Sequence, residues 1–254
     1  MGQQEKKAQM EIKDYYDRFS DAWLNEYGSL IQTSLFADKP KDFAQVMMGR
    51  AMITPQHSVL DVGCGVGGVM LGLMENGVLD VTGVTLSSRQ IELGRELDAD
   101  LNMELADFME WDDRGRKFDR IIFCESFGYF TEPSKLIDKI CGLLAPGGMV
   151  YVKDLCAVND PDLMQQVGLE AIGNLWRWYN IYTTQEMAWM WGMKRIGGGD
   201  NLWRETSCRK FIDFVMGNGS FAKAHGEELA NAGMKQQPAW NGQVPVKTSD
   251  FLFA

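Results

Sequence analysis

Polar and apolar positions along this 254-residue chain recur with two different periods, and the changes of period mark its elements. Between residues 8 and 35, Ile12, Tyr15, Tyr16, Phe19, Trp23 and Tyr27 return at spacings that share one helical face, which predicts a long amphipathic helix. A second helix is predicted over 41–52. It is closed before Thr54-Pro55, because the residue preceding a proline is pushed out of helical geometry. Four strand-like runs follow, at 58–63, 80–86, 118–124 and 147–155, and helical patterns at 66–76, 87–97 and 134–144 separate them. Strand and helix taking turns in this way predict βαβ units and a parallel sheet.

Beyond about residue 156 the rhythm changes. Residues 160–195 predict mostly helix, dense in aromatics, and GGGD at 197–200 predicts a break. Residues 204–216 and 221–232 predict further helices, and the last residues could supply closing strands. The expected organisation is one α/β domain. Its parts are a helical segment 1–54, a core 55–156, a helical cap 157–216 and a C-terminal part of the sheet 217–254.

Charge alters this picture in one respect. The formal net charge is −10, which disfavours nucleic acid or an anionic membrane as the partner. The balance is uneven, however, with residues 171–254 at +2 and the rest at −12, so an acidic ligand group is expected in the C-terminal third. No run of 18 apolar residues predicts a membrane span, and the polar N-terminus does not read as a signal peptide. Five cysteines without a CxxC, and two histidines, His57 and His225, predict neither a disulfide framework nor a zinc or His-based metal site. A cytoplasmic location is the expectation.

The candidate chemistry begins at VLDVGCGVGG, residues 59–68, where an apolar run ends in four glycines. Such a loop lets a ligand lie against bare backbone. Asp61 would repel a pyrophosphate but suits a cationic or amino-bearing ligand, and the loop holds no Arg or Lys. The segments ELADFMEW, FDRIIFCESF and LLAPGGMVYV follow at 104–111, 118–127 and 143–152. Through these residues the chain, from about 55 to 155, resembles the class I S-adenosylmethionine-dependent methyltransferases. A dehydrogenase, or a cofactor-binding regulatory subunit without chemistry, is the competing reading of the glycine loop.

The resemblance implies a Rossmann-like fold with a seven-stranded, mostly parallel sheet and helices on both faces. It also implies an N-terminal helical lid, a helical aromatic-rich cap, and S-adenosyl-L-methionine as cofactor. Carried over by motif, Gly63, Gly65 and Gly67 would cradle the methionine part, with Asp61 near its amino group. Asp107 would accept from the adenine exocyclic amine and Phe108 would stack on the ring, plain core packing being the alternative for Phe108. Most of the family ends the second strand with an acid that binds the ribose. Here the sequence is GVTLSSRQ, 83–90, with Thr85 in that place. GVTLSxxQ resembles a carbon-methylating branch: isoprenoid diphosphate and sterol methyltransferases and cyclopropane fatty acid synthases. Thr85, Leu86 and Gln90 would then serve the cofactor, the alternative for Thr85 being a cap on the following helix.

Alkylating an alkene produces a carbocation, which calls for aromatic faces and a carboxylate rather than a metal. CESFGYF, 124–130, supplies them. Glu125 would stabilise the cation and remove the final proton, with Tyr129 and Phe127 close by; the alternative is a structural carboxylate holding loop amides. The segment YYDRFSDAWLNEYGS resembles the same branch, where a paired-aromatic helix lies over the cofactor, and makes Tyr16 a candidate cofactor contact and Tyr27 a candidate catalytic one. Trp176 and Tyr179 are candidate acceptor contacts, although an aromatic stripe also suits core or a homodimer interface. Arg177 and Arg209 could clamp a diphosphate head, with Mg²⁺ assisting.

The expected activity is methyl transfer to the alkene of a short isoprenoid diphosphate. Departures are noted: no sterol-enzyme wording after the strand, and no histidine in CESFGYF of the kind expected of cyclopropane synthases. The alternatives are a sterol or lipid C-methyltransferase, and an N- or O-methyltransferase acting on an amine or aromatic metabolite.

Overall fold

A computed structural model describes residues 3–30, 37, 39–157, 182–183, 200–201 and 246–253. The N-terminal helix α1 covers Gln3–Tyr27, five residues earlier at its start than the periodicity predicts. It ends well before residue 35 because Gly28 takes a left-handed conformation, φ 71°. Helix α2, Pro40–Ala51, starts on a proline that needs no backbone donor in a first turn. Phe43, Ala44, Met47 and Ala51 of α2 are fully buried, so this helix is a piece of the core.

The sheet then builds in the order the alternation predicts. Strand β1 is Val59–Val62, β2 is Val81–Thr85, β3 is Met103–Leu105 and β4 is Phe118–Cys124. Helix α3, Gly68–Glu75, follows β1, and α4, Ser88–Leu97, follows β2. After β4 comes a single 3₁₀ turn, Phe127–Tyr129, then α5, Pro133–Leu143, and the long β5, Leu144–Ala157. Strands β1 to β5 run parallel wherever they pair, and β8, Val246–Phe253, lies antiparallel on β5. All four residues of β1 and all five of β2 are buried, as strands covered on both faces must be.

Three expectations are corrected. The described residues form eight strands, not seven, in the order β3-β2-β1-β4-β5-β8-β7, with β6 on β5. The extra ones are two-residue pieces, β6 at Tyr182–Thr183 and β7 at Asp200–Asn201, inside the stretch expected to be helical cap. Segments so short carry no periodic signal, and their pairing partners are distant in sequence. Strand β3 has only three residues and one fully buried side chain, which is why its hydrophobic pattern did not mark it. The remainder of the expected cap, with Trp176, Arg177, Tyr179 and Arg209, lies outside the described residues.

Candidate active site

The carboxyl ends of β1, β2 and β4 open on one cleft, as expected at the switch point of a doubly wound sheet, where the strand order reverses. Its walls include Gly63 and Gly65 after β1, Thr85, Leu86 and Gln90 around β2, Asp107 and Phe108 after β3, and Glu125 and Tyr129 after β4. Tyr16 and Ile12 of α1 close one side.

The glycine loop owes its shape to crowding. Gly63 has φ 74°, and a Cβ there would lie 2.6 Å from the Cβ of Ser126, so the loop presses directly on the segment after β4. Ser126 Oγ donates to the Val62 carbonyl, 2.5 Å, and ties the two strand ends together. Gly65 has φ 58°, and a Cβ there would meet no protein atom, so it faces the open cleft. Gly67 does not line the cleft. It stands before the first residue of α3 with φ 86°, and its Cβ would meet Leu101 at 2.9 Å. The glycine there serves the turn and the packing.

Two carboxylates carry buried oxygens without partners among the described residues. Asp61 is 1% exposed, and neither of its oxygens has a hydrogen-bond partner among the described residues. Burial pushes its pKa up to about 7. Asp107 Oδ1 accepts from the Met109 amide at 2.9 Å, but its Oδ2 is buried and unpartnered. Buried acceptors of this kind are costly unless a ligand completes them. A donor bearing an ammonium group at one end and an exocyclic amine on a flat ring at the other answers both. Phe108, 4% exposed, lines the cleft and also packs edge-on against Phe123 and Phe130, so ligand contact and core packing coexist there.

At β2, Thr85 Oγ1 donates to Gln90 Oε1 at 2.6 Å, and it accepts from the Ser87 amide at 3.3 Å. The Gln90 amide group is thereby turned to a fixed orientation in the cleft wall. Ser87 caps α4 by accepting from the Gln90 amide at 3.1 Å. Its hydroxyl donates to Asp17 of α1 at 2.6 Å, and Asp17 also accepts from the Arg89 amide at 3.1 Å. Arg89 in turn makes a two-point pair with Asp21, 2.8 and 2.6 Å. Helix α1 is thus bonded to the β2–α4 loop by residues about 70 positions away.

After β4 the backbone is strained where it matters. Glu125 has φ 58°, rare for a residue with a side chain. Its carboxylate Oε1 is 2.5 Å from Lys153 Nζ, and both side chains are buried, 8% and 0% exposed. The pair with Glu125 holds the Lys153 pKa above its ordinary value although burial opposes this. Asp154 accepts from the amides of Phe127 and Gly128, 2.9 and 3.4 Å, and so does the loop-holding work considered for Glu125. The Tyr16 and Tyr129 hydroxyls meet at 2.5 Å across the cleft, with burial pushing the Tyr16 pKa up to about 12.

Two further placements differ from expectation. Phe127 is 1% exposed and packs against Phe123 with ring centres 5.5 Å apart, so it is core and not an acceptor contact. Tyr27 packs against Trp23 at 5.4 Å and is not among the cleft residues. Residues missed from sequence are Lys153, Asp154, Ser126 and Asp17. The first had a readable signal: a lysine inside the apolar run VYVKDL has to be paired if the strand is buried. For the expected Mg²⁺, no group of three or more metal-ligating side chains occurs among the described residues.

Fold and cleft together are those of a class I, S-adenosylmethionine-dependent methyltransferase. The model of the methyltransferase domain family matches residues 6–195, and the chain belongs to that family. A sterol 4-C-methyltransferase of Caenorhabditis elegans is 34% identical over 109 residues, covering 41% of this chain and 32% of that protein. A 2-methyl-6-phytyl-1,4-hydroquinone methyltransferase of Synechocystis is 27% identical over 160 residues, covering 56% of this chain and 50% of the other. The aligned part of the chain thus spans between a third and a half of these relatives' length. Among solved structures, the cyclopropane synthase MmaA2 of Mycobacterium tuberculosis superposes with a TM-score of 0.73 at 14% identity, over 97% of this chain and 98% of that one. No helix among the described residues is long and apolar enough to cross a membrane.

Proposed function

We propose that the protein transfers the methyl group of S-adenosylmethionine to an alkene carbon of an apolar isoprenoid acceptor. The observation that carries this reading is the acceptor-side wall. A buried carboxylate, Glu125, is held in a left-handed backbone conformation beside two bonded phenols, Tyr16 and Tyr129, with Phe130 adjacent. A carboxylate paired with the Lys153 ammonium is suited to facing a developing cation, and aromatic rings add to that stabilisation. Glu125 is placed to act as an electrostatic partner of the cation and as the acceptor of its proton. S-adenosylmethionine supplies the electrophilic methyl when bound. The chain's own residues bind it through Asp61, Asp107 and the glycine loop, orient the ribose side through Gln90, and exclude water with α1.

Two relatives, one named for 4-C-methylation of a sterol and one for methylation of a phytyl-bearing hydroquinone, support an isoprenoid-derived acceptor. A diphosphate head remains one arm of the proposal, with Arg177 and Arg209 as its clamp and a homodimer through the Trp-rich region as a further expectation. The test is incubation with methyl-labelled cofactor and a panel of prenyl diphosphates, free prenols, sterols and amines. Label in a prenyl or sterol carbon is expected. Label confined to amines overturns carbon methylation, and equal labelling of prenols and their diphosphates removes the diphosphate clamp.

A further inference from the structure

We propose that Lys153 is a charge-balancing residue of the donor cleft: acting through Glu125, it sets how strongly the cleft prefers the cationic methyl donor over the neutral thioether product. The inference rests on the reading that this cleft binds S-adenosylmethionine.

The geometry places Glu125 beside the donor's sulfur end. The glycine loop that would hold the methionine part touches Ser126, the next residue, with a Gly63 Cβ falling 2.6 Å from the Ser126 side chain. Ser126 is further tied to Val62. Lys153 grips Glu125 at two points, since its carbonyl accepts from the Glu125 amide at 2.7 Å and its Nζ pairs with Oε1 at 2.5 Å. The lysine is wholly buried behind the wall, with its ammonium 5.9 Å from the centre of the Phe43 ring. It has no route to solvent, so its charge acts on the cleft.

Other titratable groups surround the pair. They are Tyr16 from α1, Asp61 and Cys64 from β1 and its loop, Cys124 and Tyr129 from β4 and the turn after it, and Asp154 from β5. Burial pushes the two thiols and both phenols up, so these stay neutral, whereas Asp154, which accepts from two amides, also acts on the Lys153 ammonium and is present in every variant below.

Losing its methyl turns the donor's sulfonium into a thioether and removes one positive charge. A lone buried Glu125 would hold the donor and release the product. The lysine cancels most of that difference while leaving the carboxylate aimed at the acceptor side. Donor and product carry the same amino group, so any titration of Asp61 affects both alike and drops out of the affinity ratio.

The experiment is calorimetric titration of S-adenosylmethionine and S-adenosylhomocysteine into the wild-type protein, Lys153→Met, Glu125→Gln and the double variant. In Lys153→Met the donor-to-product affinity ratio is expected to rise about tenfold. In Glu125→Gln the uncompensated lysine is expected to lower the ratio about tenfold. The double variant and Lys153→Arg are expected to restore it. Should Lys153→Met not fold, as circular dichroism would show, Glu125→Gln and the double variant decide the matter. A ratio that stays within about twofold in every folded variant overturns the inference alone. Failure of the wild-type protein to bind either compound overturns the cofactor reading and this inference with it.

Discussion

The two sides of the cleft are built on opposite principles. On the β1–β3 side, Asp61 is buried and Asp107 half-buried, and each has buried oxygen without a partner among the described residues. On the β4–β5 side, Glu125 is paired with Lys153, Asp154 with two amides and Ser126 with a carbonyl. The first side is incomplete as a protein interior and becomes complete only with a ligand. The second is complete as it stands and presents an oriented charge. A donor side must bind tightly and can store unsatisfied polarity for that purpose. Under the proposed function the second side faces a transient cation, and such a side is better preorganised, because reorganisation at the moment of reaction costs rate.

The largest expected effect tests whether the second side is core as well as site. Phe127→Ala should cost about 3–5 kcal/mol of stability, because the ring is fully buried against Phe123. Urea unfolding would check this, and a loss below about 1 kcal/mol would return Phe127 to the cleft.

Asp61→Asn should separate binding from stability. Cofactor affinity should drop about tenfold to a hundredfold, since a charge-assisted bond is lost. Stability of the free protein should rise at neutral pH instead of falling, because an unpartnered buried carboxylate is removed. The sign follows from the raised pKa. With the folded value near 7 and the ordinary value 3.8, the folded state binds the extra proton between them, so this group's contribution favours folding at low pH. Stability of the free protein should therefore decline as pH rises from about 4 to about 7, by up to roughly 4 kcal/mol. Thermal melts across that window would show the decline in the wild-type protein, its absence in Asp61→Asn, and its flattening when S-adenosylhomocysteine is bound.

Asp107→Asn should be milder, about tenfold in cofactor affinity, because Oδ1 keeps its bond to Met109 and only the adenine-facing oxygen changes. Equal loss of affinity for adenosine and for the whole cofactor in calorimetry would place the effect at the ring end. Smallest of all, Arg89→Ala should leave stability almost unchanged in urea unfolding, since the Arg89–Asp21 pair is solvent-exposed and screened by salt. Proteolysis within α1 should speed up slightly and become less salt-dependent. A large loss of cofactor affinity would instead make α1 docking part of the donor side.

Much of the donor side was legible from the residues. The run VLDVGCGVGG, the acid in ELADF and the substitution of Thr85 for an acid are local features, each within ten residues, and local features leave patterns in one dimension. Glu125 was legible as a carboxylate after a strand, but its partner was not, because Lys153 is 28 residues away. Gly67 and Phe127 sat in the right motifs and still turned out to pack inward, since a motif specifies the turn and not which of its side chains the neighbouring helix covers.

What the sequence determined by itself is the alternation of strand and helix, the parallel sheet that follows from it, and a glycine loop next to a carboxylate. Periodicity and turn chemistry act between near neighbours, so they can be read without coordinates. What only the tertiary structure decided is which charges are satisfied. Asp61 is left alone, Glu125 is held by Lys153, and Asp17 reaches across 70 residues to Ser87. Pairing depends on through-space distance and burial, and those are set by how the sheet stacks its strand ends together, not by the order of residues along the chain.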